Sequence, residues 1–332
     1  MTLPVRGPLS ASVSALLRGE PSVPPAVDVS DPLADDDLHL ALYLCYEVHY
    51  RSLEGVDERV EWDPRLLAFR AELERCFEGA LRGAAAVTPS AQPVDVALRR
   101  LIGADDSPSV SSFLAREGTV AMFREFLMHR SAYHLREADP HTFAIPRLRG
   151  RAKAAMVEIQ ADEYGGGDHR WMHSTLFATA MRALGLDTRE GAYVAVLPGV
   201  TLATVNLMSL FGLHRRLRGA AVGHLAVFEM TSCIPNRRYG DGLRRLGFDE
   251  QATRYFDEHV EADAAHGAIA ATDMAGSLVD DDPAMLCDVL FGGAALLALE
   301  HRWADHVLHA WRSRRDALWT AAAQDMPTPA LA

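Results

Sequence analysis

The chain has 332 residues, 49% of them hydrophobic, and a formal net charge of -12, which suits one large domain or two ordinary ones. The acidic balance argues against nucleic acid as a partner, and four widely spaced cysteines without a C-x-x-C pair argue against a disulfide framework or a thiolate zinc site. Because the sequence has neither a long uncharged apolar run nor an N-terminal signal-peptide pattern, we expect a soluble, cytoplasmic protein with no membrane span.

The N-terminal segment differs in composition from the rest of the chain. Residues 1–34 are rich in Pro, Ser, Val and Ala, and the stretch PSVPPAVDVSDP cannot form a helix. This composition predicts a flexible N-terminal arm. From residue 35 onward the dominant hydrophobic period is helical, so we predict a single domain over residues 35–325.

Helical periodicity, with capping residues and glycines at segment ends, predicts an all-α protein. Asp63, for example, is a good helix N-cap, and Pro64 follows it in the first turn. The only weak strand candidate is GAYVAVLP at 191–198. The predicted helices cover residues 36–53, 63–83, 109–138 (as one helix or as two joined near Gly118), 146–166, 168–185, 198–219, 221–234, 240–247, 250–275 and 283–321.

Three ligand-capable side chains share one face of the predicted helix 250–275. His259, Asp263 and His266 stand at i, i+4 and i+7, within about 60° of one another around the helix axis. Taken singly, each has a simpler explanation, since a histidine on an apolar face is more often a satisfied core residue than a ligand. One helix that supplies three such groups to one point favours a metal site.

Glu229 lies in AVGHLAVFEMTSCIP, a segment that is apolar on nearly every face. A helix of this kind is normally buried. An ionised carboxylate there is costly unless it is paired, hydrogen-bonded or bound to a cation. Two interpretations stay open, an ion pair with Arg237 or Arg238 and a metal ligand.

The stretch MVEIQADEYGGGDHRWMHSTLF at 156–177 contains a third group of ligand-capable residues. In an unbroken helix Glu163 and His173 would point about 80° apart, but the glycines between them allow the backbone to bend. We favour His173 over His169 because its neighbours are apolar. The candidates in this stretch are Glu158, Asp162, Glu163, His169 and His173.

Carboxylates and imidazoles from several helices would together form one buried centre. Inward-facing Glu and His side chains are how helical bundles build di-iron or di-manganese sites. Oxygen and nitrogen ligands without thiolate suit iron or manganese better than zinc. The sequence therefore predicts a buried metal site.

The order and spacing of these residues resemble the haem-oxygenase-like di-iron oxidases and oxygenases. The stretches LYLCYEVHYRSLEGVDERVEWDP and YHLREADPHTFAIPRL are also similar to the actinobacterial branch, and the resemblance spans about residues 36–310. It implies a haem-oxygenase-like bundle of about seven core helices that binds two non-haem iron ions, with manganese as an alternative, and no haem. The ligands that the resemblance implies are Glu163, His173, Glu229, His259, Asp263 and His266.

Some members use a further carboxylate, and Glu137 in READPHT occupies the corresponding position. Its alternative is a surface ion pair with Arg136 or Arg147. Glu47 is a candidate for a contact behind the ligands, or for an ordinary ion pair. Aromatic candidates for the pocket wall, with plain core as their alternative, are Tyr133, Phe143 and Trp171.

The resemblance implies O2-dependent chemistry on a small amine, an amino acid or a fatty acid. N-oxygenation of an amino-acid-like amine in natural-product biosynthesis is favoured, and desaturation and oxidative C–C cleavage are alternatives. An external electron donor and a homodimer are further expectations. A non-catalytic ligand-binding or scaffold protein would instead leave the six candidates apart. A haem protein would use His39 or His49, and a thiaminase-like hydrolase would use Cys233.

Overall fold

In a computed structural model, residues 3–51, 53–88 and 92–320 are described, without the side chains of residues 263 and 264. These residues form helices and no strand, which confirms the all-α prediction. The helices are α1 Pro8–Leu17, α2 Asp36–Glu47, α3 Pro64–Ala84, α4 Val94–Gly103, α5 Val110–Glu117, α6 Val120–His134, α7 Asp139–Thr142, α8 Gly150–Glu163, α9 His173–Ala183, α10 Gly199–Leu213, α11 Arg218–Arg245, α12 Glu250–Ala268, α13 Ser277–Asp281 and α14 Leu286–Arg312.

The fold is a haem-oxygenase-like helical bundle. Seven helices in the described part of the chain have 14 or more residues, namely α3, α6, α8, α10, α11, α12 and α14. The 28-residue α11 lies at the centre, where it packs along α12 and α14, and α10 packs against α2. This arrangement buries the apolar faces of the long helices in a continuous core.

Two glycines let α11 and α14 approach each other closely. A Cβ atom on Gly223 would overlap the Val289 carbonyl oxygen, and one on Gly292 would overlap the Ala220 carbonyl oxygen. Only a residue without a side chain fits at either position. The central helix pair therefore depends on glycine for its spacing.

The prediction of a flexible arm is wrong for part of residues 1–34. Residues Pro8–Leu17 form α1, whose Val13 and Leu16 are buried against the core. The Asp37 carboxylate accepts hydrogen bonds from the Leu9 and Ser10 backbone N–H groups at 2.8 and 2.9 Å, which satisfies the start of the helix. Residues 21–32 are outside helices, as their prolines predict. The domain boundaries stay a prediction.

Several predicted helix ends differ from the observed ones. The first long helix ends at Glu47, and the segment 109–138 is two helices, α5 and α6, on either side of Gly118. The segments predicted as separate helices on either side of Pro235 are one helix, α11. The helix continues through the proline, and α12 and α14 pack along it. The weak strand candidate is a short helical turn at Val194–Val196.

The glycine run between α8 and α9 redirects the chain as predicted. Gly165, Gly166 and Gly167 have φ angles of 67°, 59° and 90°, in the left-handed region that favours glycine. Glu163 is the last residue of α8 and His173 is the first residue of α9. The turn therefore brings these two side chains together from consecutive helices.

One helix in the described residues, Pro283–Arg312, is long and apolar enough to cross a membrane by length and composition. It contains α14, which packs along α11, and 50% of its apolar window is buried inside the protein. A helix at the centre of a helical bundle has the same composition.

Candidate metal centre

Two overlapping groups of buried carboxylates and imidazoles lie between α6, α8, α9, α11 and α12. The first group contains Glu137, Glu163, His173 and His259, and the second contains Glu163, Glu229 and His266. Within each group, one ligand atom from every residue lies within 4.8 Å of the others. Glu163 belongs to both groups, so its carboxylate lies between two adjacent candidate positions for a cation.

The first group places imidazole nitrogens against carboxylate oxygens. His173 Nδ1 lies 2.9 Å from Glu163 Oε2 and 4.0 Å from Glu137 Oε2, and His259 Nε2 lies 3.6 Å from Glu137 Oε1. His259 Nδ1 donates to the Tyr255 carbonyl at 2.8 Å. Because a carbonyl only accepts, this bond fixes the tautomer and leaves the Nε2 lone pair facing the group.

The second group is supported from outside by a further carboxylate. His266 Nδ1 lies 3.6 Å from Glu229 Oε2, while its Nε2 donates to Asp162 Oδ2 at 2.9 Å. A carboxylate behind a histidine fixes the ring and raises its basicity, as at many metal sites. α12 passes through position 263, but the side chain of Asp263 lies outside the described residues, so its ligand role stays a prediction.

The pKa values of the site reflect three carboxylates buried beside imidazoles. Burial would lower the pKa of His266, but Glu229 and Asp162 raise it to about 9. Burial raises the pKa of Glu229, and the nearby Glu163 carboxylate raises it further. Burial would also raise the pKa of Glu137, yet two neighbouring imidazoles hold it well below its ordinary value. Positive charge is therefore strongly favoured here, whether from protons or from a metal.

The donor atoms fit a cation better than they fit each other. Glu163 Oε2 and His173 Nδ1 are buried and 2.9 Å apart, yet neither makes a hydrogen bond of acceptable geometry. Two ligands about 2.1 Å from one divalent ion, and about 90° apart at that ion, would be about 3.0 Å from each other. Oxygen and nitrogen donors without sulfur also suit iron or manganese.

The structure brings most of the predicted ligands together. Six of them, including Glu137, have described side chains in the two groups. His169 is exposed, which agrees with the choice of His173. The alternative ion pair of Glu229 with Arg237 or Arg238 is wrong, since Glu229 faces His266.

The alternative ion pairs proposed for Glu137 are also wrong. Arg136 donates to the Glu47 carboxylate at 2.7 Å instead of pairing with Glu137. Arg147 donates to main-chain carbonyls at the end of α10. Of the two interpretations of Glu47, the ion pair is therefore the observed one. Glu47 makes this pair instead of a contact with the candidate ligands.

The aromatic candidates have different positions. Tyr133 lines a small cavity together with Glu137, Glu163 and Glu229, as expected of a pocket wall. Trp171 is 41% exposed and its ring lies 4.2 Å from the Arg254 guanidinium, so it is not a plain core residue. It lines an open surface depression together with His173 and Asp162, so it forms an outer wall beside one candidate ligand.

Sequence reasoning missed two residues that contact Glu137. Tyr255 Oη donates to both Glu137 carboxylate oxygens at 2.7 and 3.0 Å, and His134 Nδ1 lies 2.6 Å from Glu137 Oε1. Tyr255 precedes His259 by four residues, so it extends the same helix face. This four-residue spacing was the sequence signal that could have identified Tyr255. Asp162 was noted in its stretch but was not selected.

The residues named for the rival interpretations have other contacts. His39 Nε2 donates to the Pro32 carbonyl at 3.0 Å, and His49 Nδ1 lies 3.1 Å from Glu61 Oε1. Cys233 Sγ donates to the Val260 carbonyl at 3.7 Å. None of the three belongs to the two ligand groups.

Comparison with known proteins assigns the chain to a family. The family model described as iron-containing redox enzyme matches residues 124–301, which is more than half of the chain. The chain belongs to the iron-containing redox enzyme family. The matched span of this family member contains every candidate ligand. A nitrosourea synthase from Streptomyces achromogenes subsp. streptozoticus is 29% identical over 196 residues, which cover 58% of this chain and 42% of that relative.

Proposed function

We propose that this protein is a non-haem di-iron, O2-dependent oxidoreductase that N-oxygenates a small amine or amino-acid-like substrate. The observation that carries the proposal is the shared Glu163, which belongs to two adjacent buried groups of iron-type ligands. Membership of the iron-containing redox enzyme family supports iron as the metal. Manganese has the same ligand preferences and is the alternative.

The ligand groups divide naturally between two ions. Glu137, His173 and His259 would hold one ion, and Glu229, His266 and the predicted Asp263 would hold the other. Glu163 would contact both. Two divalent cations would offset the charge of the buried carboxylates, which are costly to bury without compensation.

Bound iron would supply the redox chemistry with O2. The protein residues orient the ligands and control access of water. Tyr255 holds Glu137 through its hydroxyl and His259 through its carbonyl. Leu225 and Phe228 line the small cavity between the ligand groups and limit its water content.

N-oxygenation requires electrons from outside the protein. One atom of O2 would enter an N–H bond of the substrate to give N–OH, and the other would leave as water with two protons and two electrons. An external reductant would supply those electrons. The relative's name supports this reaction over desaturation or C–C cleavage, because a nitrosourea carries an oxygen-bearing nitrogen.

Metal content tests the ligand assignment directly. We expect anaerobic Fe(II) loading to give about two iron ions per wild-type chain and Glu163→Gln to lose most of both, since one residue serves both groups. Glu158→Gln is the matched control, because Glu158 is exposed on the same helix. Elemental analysis after desalting measures the result. Trace iron in the wild type, or equal losses in both variants, would contradict the assignment.

Oxygen consumption and product analysis test the reaction. The iron-loaded protein should consume O2 in the presence of a reductant and add one oxygen atom to a member of a panel of amines and amino acids. Loss of two hydrogens from the substrate would indicate desaturation, and a shortened product would indicate C–C cleavage. An iron-loaded protein that consumes no O2 would be a binding protein. Mass spectrometry distinguishes these outcomes.

A further inference from the structure

A second cavity of about 220 Å³ adjoins the candidate metal centre. Glu137 and His259 line it on one side, and exposed Asp105 also lines it, so the cavity connects the centre with the surface. A cavity with this position is a natural substrate route. Its apolar walls include Phe126, Phe177, Phe228, Phe256, Leu296 and Leu297.

A largely buried ion pair lines the same cavity and is separate from the metal ligands. Arg130 on α6 donates from both terminal nitrogens to the Glu300 carboxylate on α14, at 2.7 and 2.6 Å. The guanidinium lies 3.7 Å from the centre of the Trp303 ring. Burial would lower the pKa of Arg130, but the contact with Glu300 raises it, so the guanidinium stays charged. A largely buried ion pair contributes little to stability by itself. Because this pair lies in the cavity wall, we consider a role in ligand binding.

The pair has hydrogen-bonding capacity left for a ligand. A guanidinium has five N–H donors and a carboxylate about four lone-pair positions, and the mutual contact uses two of each. Arg130 and Glu300 therefore offer donors and acceptors of opposite charge side by side. A free amino acid carries the complementary arrangement, an α-carboxylate beside an α-ammonium group. A simple amine or a simple acid would match only one partner.

The position of the pair sets the orientation of such a ligand. Arg130 and His134 are four residues apart on α6, so they share one face and lie about 6 Å apart along the axis. Glu137 follows in the turn after the helix. A ligand whose charged head contacts Arg130 and Glu300 would therefore extend its side chain between the apolar walls toward the metal centre.

We propose that Arg130 and Glu300 form the subsite that binds the α-carboxylate and α-ammonium groups of a free amino acid. The nitrogen that reacts is then at the far end of the side chain, next to Glu137 and His259. One oxygen atom of O2 enters its N–H bond to give N–OH, and the other leaves as water with two protons and two electrons from an external reductant. The inference rests on the proposed function, because it names the substrate class of the same site.

Calorimetry on the full-length, iron-free protein tests the subsite without catalysis. The probes are L-ornithine, L-lysine, L-arginine and 4-amino-L-phenylalanine, each compared with its methyl ester, its Nα-acetyl derivative and its decarboxylated amine. We expect at least one free amino acid to bind at least about tenfold more tightly than all three derivatives, because each derivative loses one charged contact. If no free amino acid binds, or if the derivatives bind equally well, the subsite is refuted.

Variants separate a binding role from a structural one. Arg130→Met combined with Glu300→Leu removes both charges together and leaves neither buried alone. This double variant should keep its circular dichroism spectrum and its iron content but bind the best free amino acid about 10- to 100-fold more weakly. Arg216→Met, which breaks a surface ion pair with Glu78, is the control and should bind normally. Wild-type affinity in the double variant would overturn the proposal.

The two proposals fail in distinguishable ways. A protein that binds iron and consumes O2 but does not prefer free amino acids contradicts the subsite and leaves the proposed function standing. A protein that binds free amino acids through Arg130 and Glu300 but holds only trace iron contradicts the proposed function and supports the subsite.

Discussion

At the residue scale, Tyr255 connects two candidate ligands from different parts of the chain. Its hydroxyl donates to Glu137, and its carbonyl accepts from His259 Nδ1. Both contacts orient a ligand without occupying a position on the metal. Residues with this role commonly contribute a 10- to 100-fold effect on metal affinity.

Tyr255→Phe should weaken metal binding at the first ligand group. The variant keeps the buried ring but removes the hydrogen bonds to Glu137, so we expect about a 10- to 100-fold loss of Mn(II) affinity at one of two sites. Equilibrium dialysis measures both sites without redox chemistry. Tyr193→Phe is the control, because the Tyr193 hydroxyl accepts from the Asp187 backbone N–H away from the ligand groups. Equal affinities in both variants would show that Tyr255 does not orient Glu137.

The predictability of the site depended on which residues share a helix. His259 and His266 could be placed on one face from spacing alone, since helix geometry fixes that face. Glu137 and Glu163 are 26 positions apart in the sequence and come together only through packing of their segments. Only the resemblance to a known family pointed to Glu137, because no local spacing relates it to the other ligands.

At the element scale, the contact between α11 and α14 determines where Glu229 lies. Gly223 stands six residues before Glu229 on α11, at a point where α14 leaves no room for a side chain. A wider separation of these helices would shift the Glu229 carboxylate relative to its partners on α12. The close approach is therefore part of the construction of the site.

Gly223→Ala should destabilise the protein, although alanine is the better helix former. The new methyl group would overlap the backbone of α14 at Val289, and we expect a loss of about 3 kcal/mol in the free energy of unfolding. Gly79→Ala is the matched control on α3, where nothing lies within 4 Å of the added atom. It should gain about 0.5–1 kcal/mol. Urea unfolding measures both, and a stabilised Gly223→Ala variant would contradict the observed packing.

Local signals predicted helix ends well where a side chain forms the cap. The Asp63 carboxylate accepts from the Arg65 backbone N–H, and α3 begins at Pro64 as predicted. Tertiary packing overrode local signals at Pro235, where α11 continues. α1 was missed because the average composition of residues 1–34 concealed a short apolar helix within it.

At the scale of the whole molecule, the metal centre links folding to protonation. Its described ligands come from α8, α9, α11, α12 and the turn after α6, so two bound ions would together join five separate parts of the chain. Without metal, protons provide the positive charge that the buried carboxylates require. Metal ions and protons therefore compete for the same imidazoles.

Because of this competition, the stability of the metal-free protein should fall as the pH rises, while the affinity for metal should increase. The pKa of His266 is raised from 6.5 to about 9, so its contribution to the stability of the metal-free protein is fully present below pH 6.5 and is lost as the pH rises through about 9. Metal binding must displace that proton, so Mn(II) affinity should rise over the same range, by up to about tenfold per pH unit for each proton displaced.

Thermal unfolding of the protein from pH 6.5 to pH 9, with and without Mn(II), measures both trends. We expect the unfolding midpoint of the metal-free protein to fall as the pH rises. The increase in this midpoint caused by Mn(II) should become larger over the same range, because stabilisation by a ligand grows with its affinity. His266→Gln should flatten both trends, since it removes the proton and the ligand together. The exposed His169→Gln is the control and should follow the wild type. A Mn(II) effect that is constant across this range in the wild type would show that binding displaces no proton, and His266 would then not be a ligand.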